Sequence, residues 1–236
     1  MTDRKDRWIE TRVTGKSFMD IGGLWGTRNE KVSVALNAGA RTATMADIAP
    51  LDHQLWKDFD AHCRQRNVHG YGRAQLDIVE PPLESADLVH DVVHCSGIIY
   101  HVPDPYRMLA NLRKLTGEYL ILTSMVVPER IENSVGMLDF PADRATFVPS
   151  LRDSTRAIVA AHFDALGLTV AAINQPLNEP WRWPDGTPNY GPWWWLMSPA
   201  FLRGLVEVAG FTIEDECWSW EQRSYSFLAR RGATAG

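Results

Sequence analysis

Between residues 17 and 123 the chain alternates short apolar runs with stretches of helical periodicity, and this rhythm narrows its possible folds more than any other feature. Residues 17–21 read as a strand, and 28–37 as a helix closed by the stop signal of Gly39. Residues 41–46 form a second expected strand, 53–66 a second helix and 71–76 a weaker third strand. Residues 91–95 make a fourth strand, 104–115 a helix and 119–123 a fifth strand. Strand and helix in alternation imply βαβ units, a parallel sheet and right-handed crossovers.

From 125 to 197 the rhythm breaks. Residues 153–166 read as a helix and 168–173 as a strand, followed by a proline- and tryptophan-rich run, 175–195. A long irregular stretch in an α/β domain usually serves as a lid or binding loop. Five of the chain's ten tryptophans lie between Trp181 and Trp195. The rhythm then returns, with a helix at 199–209 stopped by Gly210. Strands at 211–217 and 224–229 can pair as an antiparallel hairpin, and 231–236 reads as a frayed tail. The expected organisation is one domain, 1–236, with 125–197 inserted as a substrate-binding lid.

The chain has 236 residues, 45% of them hydrophobic and 22% charged, enough to bury a core. Its formal charge of −5 disfavours a broad basic face for nucleic acid. No apolar run reaches the ~18 residues of a membrane span, and the polar first seven residues lead into no signal core. Three cysteines, Cys63, Cys95 and Cys217, are odd in number and far apart, which suggests neither a disulfide framework nor a zinc site. A cytoplasmic protein without a metal is expected. Its oligomeric state stays open.

The first strand ends Asp20-Ile21-Gly22-Gly23-Leu24-Trp25-Gly26 and runs directly into a helix. Glycines at such a turn let backbone approach a ligand and aim helix N–H groups at it. The spacing misses the dinucleotide fingerprint, because Leu24 and Trp25 stand where that motif wants small residues. A carboxylate at Asp20 would repel a pyrophosphate, yet it suits a ligand carrying an ammonium and a sulfonium. Such a pair at ~4 Å is worth roughly 4 kcal/mol before desolvation. That balance favours S-adenosylmethionine (SAM) over a nicotinamide dinucleotide. Asp47, closing the second strand, stands where a carboxylate accepts ribose hydroxyls. Asp77, ending the third strand, can accept from an adenine amino group.

Asp20 to Gly26, then Asp47 and Asp77, resemble the class I SAM-dependent methyltransferases, as does the segment Asp91 to Pro105. The likeness covers 15–124 and 198–230. It implies a Rossmann-like, doubly wound α/β sheet of seven strands, the last antiparallel, with an insertion after the fifth. It also implies a SAM site built from Asp20, Gly22, Gly23, Gly26, Asp47, Asp77, Ile78 and His94. The sequence departs from the family at Leu24, where many members keep a third glycine. Gly97-Ile98-Ile99-Tyr100-His101 is similar to a segment of the tRNA wobble-uridine carboxymethyltransferase group, in which a Tyr-His pair lies near the transferred group.

Methyl transfer is an in-line displacement that needs the acceptor held at attack distance and, for a hydroxyl, a proton removed. His94 and His101 are the candidate bases, with Tyr100 beside the latter. Trp183, Tyr190, Trp193, Trp194 and Trp195 are expected to wall the acceptor pocket, since small-molecule sites are mostly apolar and aromatic. The expected partner is a small aromatic, sugar or amine acceptor, with nucleic acid and membrane disfavoured. An RNA-modifying methyl- or carboxymethyltransferase and a non-catalytic SAM-fold partner protein are the alternatives.

Overall fold

The computed structural model describes residues 3–81 and 86–232. Helix α1 (Arg4–Arg12) precedes strand β1 (Ser17–Ile21), α2 (Val32–Asn37), β2 (Thr42–Asp47), α3 (Gln54–Gln65), β3 (Gly72–Gln75), β4 (His90–Ser96), α4 (Pro105–Leu115) and β5 (Thr116–Met125). The intervening segment holds β6 (Arg130–Asn133), β7 (Gly136–Asp139), β8 (Ala145–Phe147), α5 (Asp153–Ala165) and β9 (Trp195–Met197). Helix α6 (Pro199–Val208), β10 (Phe211–Ser219) and β11 (Ser224–Arg231) complete the chain.

Seven strands form one sheet in the order β10-β11-β5-β4-β1-β2-β3, with β11 antiparallel to both neighbours and the rest parallel. This is the expected doubly wound architecture. Alternate residues of the buried strands feed two apolar layers, as the period of two requires. Met19, Ile21, Val93 and Cys95 face α4 and α6, while Phe18, Val92 and Ile121 face α1, α2 and α3. The chain runs from β1 outward through β2 and β3, then jumps to β4 on the other side of β1. The carboxyl ends of β1 and β4 therefore flank the crevice where open α/β sheets bind ligands.

Several elements differ from the sequence-based expectations. The helix expected over 28–37 is a short 3-10 turn, Thr27–Asn29, followed by α2. Glu30 breaks it: its carboxylate turns back to accept the amide of Ser33 at 2.9 Å, while the Lys31 amide is drawn off to Asp20. The strand expected over 168–173 is instead a turn. The Asn174 side chain accepts from the Val170 amide and donates to the Leu168 carbonyl, both at 2.7 Å, and Ala172 takes a φ of 67°. Helix α1, unanticipated, is capped by Asp3, buries Trp8 and Ile9, and ties to β10 through the Trp8 indole N–H on Asp215 at 2.9 Å. Of the tail, Arg231 still belongs to β11 and donates to the Thr116 carbonyl, and 233–236 fall outside the described residues.

Residues between β5 and α6 gather their own apolar cluster, including Val127, Phe140, Val159, Phe163 and Leu196. Trp193 packs against both this cluster and the main core. Among the described residues no helix is long and apolar enough to cross a membrane.

Candidate active site

Of the three glycines after β1, Gly22 is demanded by its backbone conformation and Gly23 sits in tight contact with neighbouring side chains. Gly22 has a φ of 81°, and a Cβ there would lie 2.3 Å from Cδ1 of Ile98. A Cβ on Gly23 would lie 2.6 Å from Cε of Met45 and 2.7 Å from Oδ2 of Asp20. A Cβ on Gly26 would meet nothing within 4 Å. The tight turn exposes backbone to a cavity of about 530 Å³ at the carboxyl edge of the sheet.

Asp47 stands in the cavity wall at the end of β2, only 2% exposed. Its Oδ1 accepts the Ala49 amide at 3.0 Å, and its buried Oδ2 has no partner. Burial pushes its pKa up, with the Ala49 hydrogen bond and the nearby Leu24 amide opposing and the Asp20 charge adding a smaller push. A buried carboxylate oxygen with no donor is costly, so this atom is poised for a ligand hydroxyl.

Asp77 folds its own loop after β3: Oδ1 accepts the Val79 and Glu80 amides at 2.8 and 3.4 Å. Its Oδ2 lies 3.4 Å from the Tyr190 hydroxyl, which reaches across from the insertion. Burial, with Asp77 adjacent, raises the Tyr190 phenol well above its ordinary value. Ile78 also lines the cavity. Asn111 of α4 holds this loop by donating to the Ile78 and Val79 carbonyls at 3.1 and 2.9 Å. Nothing in the spacing of α4 marks Asn111 beyond being a polar residue on an otherwise apolar face.

Asp20 and His94 are register partners on β1 and β4, and they stand behind the glycine turn rather than among the residues lining the cavity. The His94 Nδ1–H donates to Oδ1 of Asp20 at 2.7 Å, and the Lys31 amide donates to Oδ2 at 2.8 Å. Both carboxylate oxygens are thus engaged by the protein. Nε2 of His94 is buried without a partner.

His101 does line the cavity. Its Nδ1 lies 3.1 Å from the Pro192 carbonyl, which only accepts, so that nitrogen carries the proton and Nε2 is the ring's acceptor. Burial lowers its pKa, and the neighbouring carbonyls oppose that shift. Tyr100 is buried, its ring 4.5 Å from that of His101 and 4.4 Å from Trp193.

Of the five aromatics expected to wall an acceptor pocket, only Tyr190 lines this cavity. Trp194 is buried, stacks edge-on with Trp181 at 5.0 Å and donates to the Asn189 carbonyl at 2.9 Å. Trp195 donates to the Pro103 carbonyl at 3.2 Å, and Trp193 bridges Tyr100 and Phe163. Trp183 lies in an exposed turn. The rings of Trp193 and Trp195 fasten the insertion to the segment after β4, while that of Trp194 packs within the insertion. Sequence reasoning passed over Trp25, 75% exposed at the cavity rim, and Glu179, which reaches the same cavity from the insertion. Among the described residues no cluster of three or more His, Cys, Asp or Glu is disposed to hold a metal.

No protein-family model matches the chain, and no curated protein matches it by sequence. Solved structures match its fold. Magnesium protoporphyrin IX methyltransferase (ChlM) from Synechocystis PCC 6803, solved with S-adenosylhomocysteine and also with SAM bound, aligns with TM-scores of 0.58 and 0.54. The first alignment has 15% identity and covers 98% of this chain and 81% of ChlM. A methyltransferase-like protein from Bacillus halodurans C-125 aligns over 98% of both chains, with 11% identity and a TM-score of 0.58. The [4+2]-cyclase SpnF aligns over 98% of this chain and 80% of its own, with 14% identity and a TM-score of 0.53. What these structures share with the chain is the fold, one that carries SAM or S-adenosylhomocysteine in ChlM.

Proposed function

We propose that this chain is a SAM-dependent methyltransferase acting in the cytoplasm on a small organic acceptor, at oxygen or nitrogen, with residues 125–197 shaping the acceptor side. The observation that carries the reading is the partnerless, buried Oδ2 of Asp47 beside a glycine turn in which Gly22 takes a φ of 81°. A ribose hydroxyl supplies the donor that this oxygen lacks. Gly22, which lines the cavity, allows backbone contact with the methionine portion, and Asp77 with Ile78 frames the adenine. The bound cofactor supplies an electrophilic methyl group on a sulfonium.

The rest is the work of the chain. Asp20 and His94 hold the turn and the start of α2 in place from behind. His101, held neutral with Nε2 as acceptor, takes the acceptor's proton, and Tyr100 buttresses its ring. Tyr190 closes over Asp77, and its aromatic body removes water from that end of the site. The net charge of −5 and the carboxylate of Glu179 at the cavity favour a neutral or cationic small molecule over a polyanion.

Calorimetric titration with SAM, S-adenosylhomocysteine and carboxy-SAM tests the reading, the last because 97–101 resemble the carboxymethyltransferase segment. Micromolar binding of the first two, lost by about tenfold or more in Asp47→Asn, is expected, since a lost bond to a charged group costs about 1.5–3 kcal/mol. Preference for carboxy-SAM would replace methyl transfer with the RNA-modifying reading. Failure of all three to bind would leave a fold without this cofactor.

A further inference from the structure

A second cavity, of about 490 Å³, shares no lining residue with the first. It is bounded by the chain leaving β5 at Val127 and Glu129, the first turn of α6, and the β10–β11 hairpin. Because β11 pairs with β5, and the hairpin turn lies beside Met125, this cavity opens at the same carboxyl edge of the sheet as the first. Strands spaced about 4.8 Å apart place it one to three strands beyond β4.

Its chemistry is distinctive. Trp218 and Tyr225 are register partners on β10 and β11, and their rings meet edge to face at 4.9 Å and 87°. They form an aromatic corner in which Trp218 is 47% exposed, leaving ring surface open to the cavity. Arg203 is the single cation among the lining residues, and it is already paired with Glu216. The other oxygen of that carboxylate is buried and has no hydrogen-bond partner. Glu129, exposed in the lining, makes no ion pair among the described residues. With Arg203 neutralised, the surplus charge facing the cavity is negative.

The hairpin turn that completes the wall is unusual. Trp220, Glu221 and Gln222 take successive φ values of 46°, 54° and 64°. Three side-chain-bearing residues in the left-handed region are costly, and such strain is concentrated at binding sites. The turn brings Gln222 to the cavity, where an amide offers a donor and an acceptor to a ligand's polar edge.

We infer that this cavity is a second small-molecule site that takes a protonated amine carried on a flat aromatic body. The ring stacks against Trp218 and Tyr225, and the ammonium is drawn by the aromatic faces and by Glu129. An anion is disfavoured, because the one lining cation is spent. The inference does not depend on SAM binding in the first cavity.

Tryptamine and indole-3-acetate share a ring and differ in the sign of the side-chain charge, so calorimetry with each is the test. Tryptamine is expected to bind at least about tenfold more tightly than indole-3-acetate, the size of a cation–π contact plus an added carboxylate. Trp218→Ala and Glu129→Gln are each expected to weaken tryptamine by about three- to tenfold. Neither changes affinity for S-adenosylhomocysteine, and both replace exposed side chains, so a thermal melt confirms folding. Equal affinity for the two probes, tryptamine binding unaffected by both substitutions, displacement of tryptamine by S-adenosylhomocysteine, or no tryptamine binding at millimolar concentration would each overturn the inference.

Discussion

Asp20 has two possible roles with different energetic signatures. As the direct partner of a ligand ammonium it would govern affinity and contribute little to stability. The geometry assigns it the other role: one oxygen holds the Nδ1–H of His94 at 2.7 Å, the other the Lys31 amide at 2.8 Å, and the residue is 1% exposed. Replacement by alanine leaves two buried donors unsatisfied, at about 1–3 kcal/mol each, so the expected loss is about 2–6 kcal/mol. Asparagine keeps one acceptor and turns an N–H₂ toward the other donor, for a loss of about 1–3 kcal/mol. His94→Ala leaves a buried carboxylate one donor short, and the pair should show a coupling of about 0.5–3 kcal/mol in a double-mutant cycle.

Urea denaturation followed by tryptophan fluorescence reads all four corners of the cycle, with a constant slope required before the midpoints are compared. SAM affinity is measured on the same preparations. The reasoning is refuted if Asp20→Ala costs less than about 1 kcal/mol while SAM affinity falls by tenfold or more. That pattern is what a direct ion pair to the ligand, rather than a clamp behind the turn, would give.

Three further outcomes follow from the same geometry. Burial raises the Asp47 pKa, so between the ordinary carboxylate value and the raised one the native state holds more protons than the unfolded, and stability falls as pH rises through that interval. Asp47→Asn should remove that slope and raise Tm at pH 7 while weakening SAM binding; a lower Tm at pH 7 would contradict it. Burial lowers the His101 pKa, so its contribution to stability is complete above the ordinary imidazole value and is lost as pH falls toward the lowered one. The acid limb of the pH–rate profile should accordingly lie below that ordinary value and vanish in His101→Gln, and a limb at or above it would exclude His101 as the base. Trp194→Ala should destabilise by about 3–5 kcal/mol, whereas Trp183→Ala at an exposed turn should stay within about 0.5 kcal/mol, both read from chemical denaturation.

Strands β1, β2, β4 and β5 were legible because strands buried on both faces read as apolar runs, and helices between them show their own period, whereas β3, an exposed edge strand, reads only weakly. Helix α1 was not legible, since only Trp8 and Ile9 of its nine residues are buried and the rest present a polar face. The three- and four-residue strands of the insertion are too short for any alternation to register. At the site, acids closing successive strands point to the crevice because the fold gathers strand ends there. Asp47 and Asp77 obey that logic. Asp20 lies one residue earlier than the strand's last, Ile21, and the period of two turns its side chain to the opposite face, toward α2. The tryptophans illustrate a different limit. Composition shows that large rings are clustered, yet a ring that walls a pocket and a ring that fastens two segments have the same sequence signature.

That fastening bears on what the insertion can do. The Trp194 amide donates to the Tyr100 carbonyl at 2.8 Å, His101 to Pro192 at 3.1 Å, and the Trp195 indole to Pro103 at 3.2 Å. At about 0.5–1.5 kcal/mol net apiece, three such bonds and the ring contacts of Trp193 make detachment of 192–195 a costly event. A lid that swung on this segment would have to drag the candidate base with it, because His101 is one of the tethers. Residues 192–195 are therefore better understood as a fixed wall that sets the tautomer of His101, while Glu179 and Tyr190 line the cavity from outside the tethered stretch. The run from 176 to 191 is joined to that wall as well, because the Trp181 ring packs on Trp194 and the Asn189 carbonyl accepts the Trp194 indole N–H, so changes there reach His101 through the same tethers.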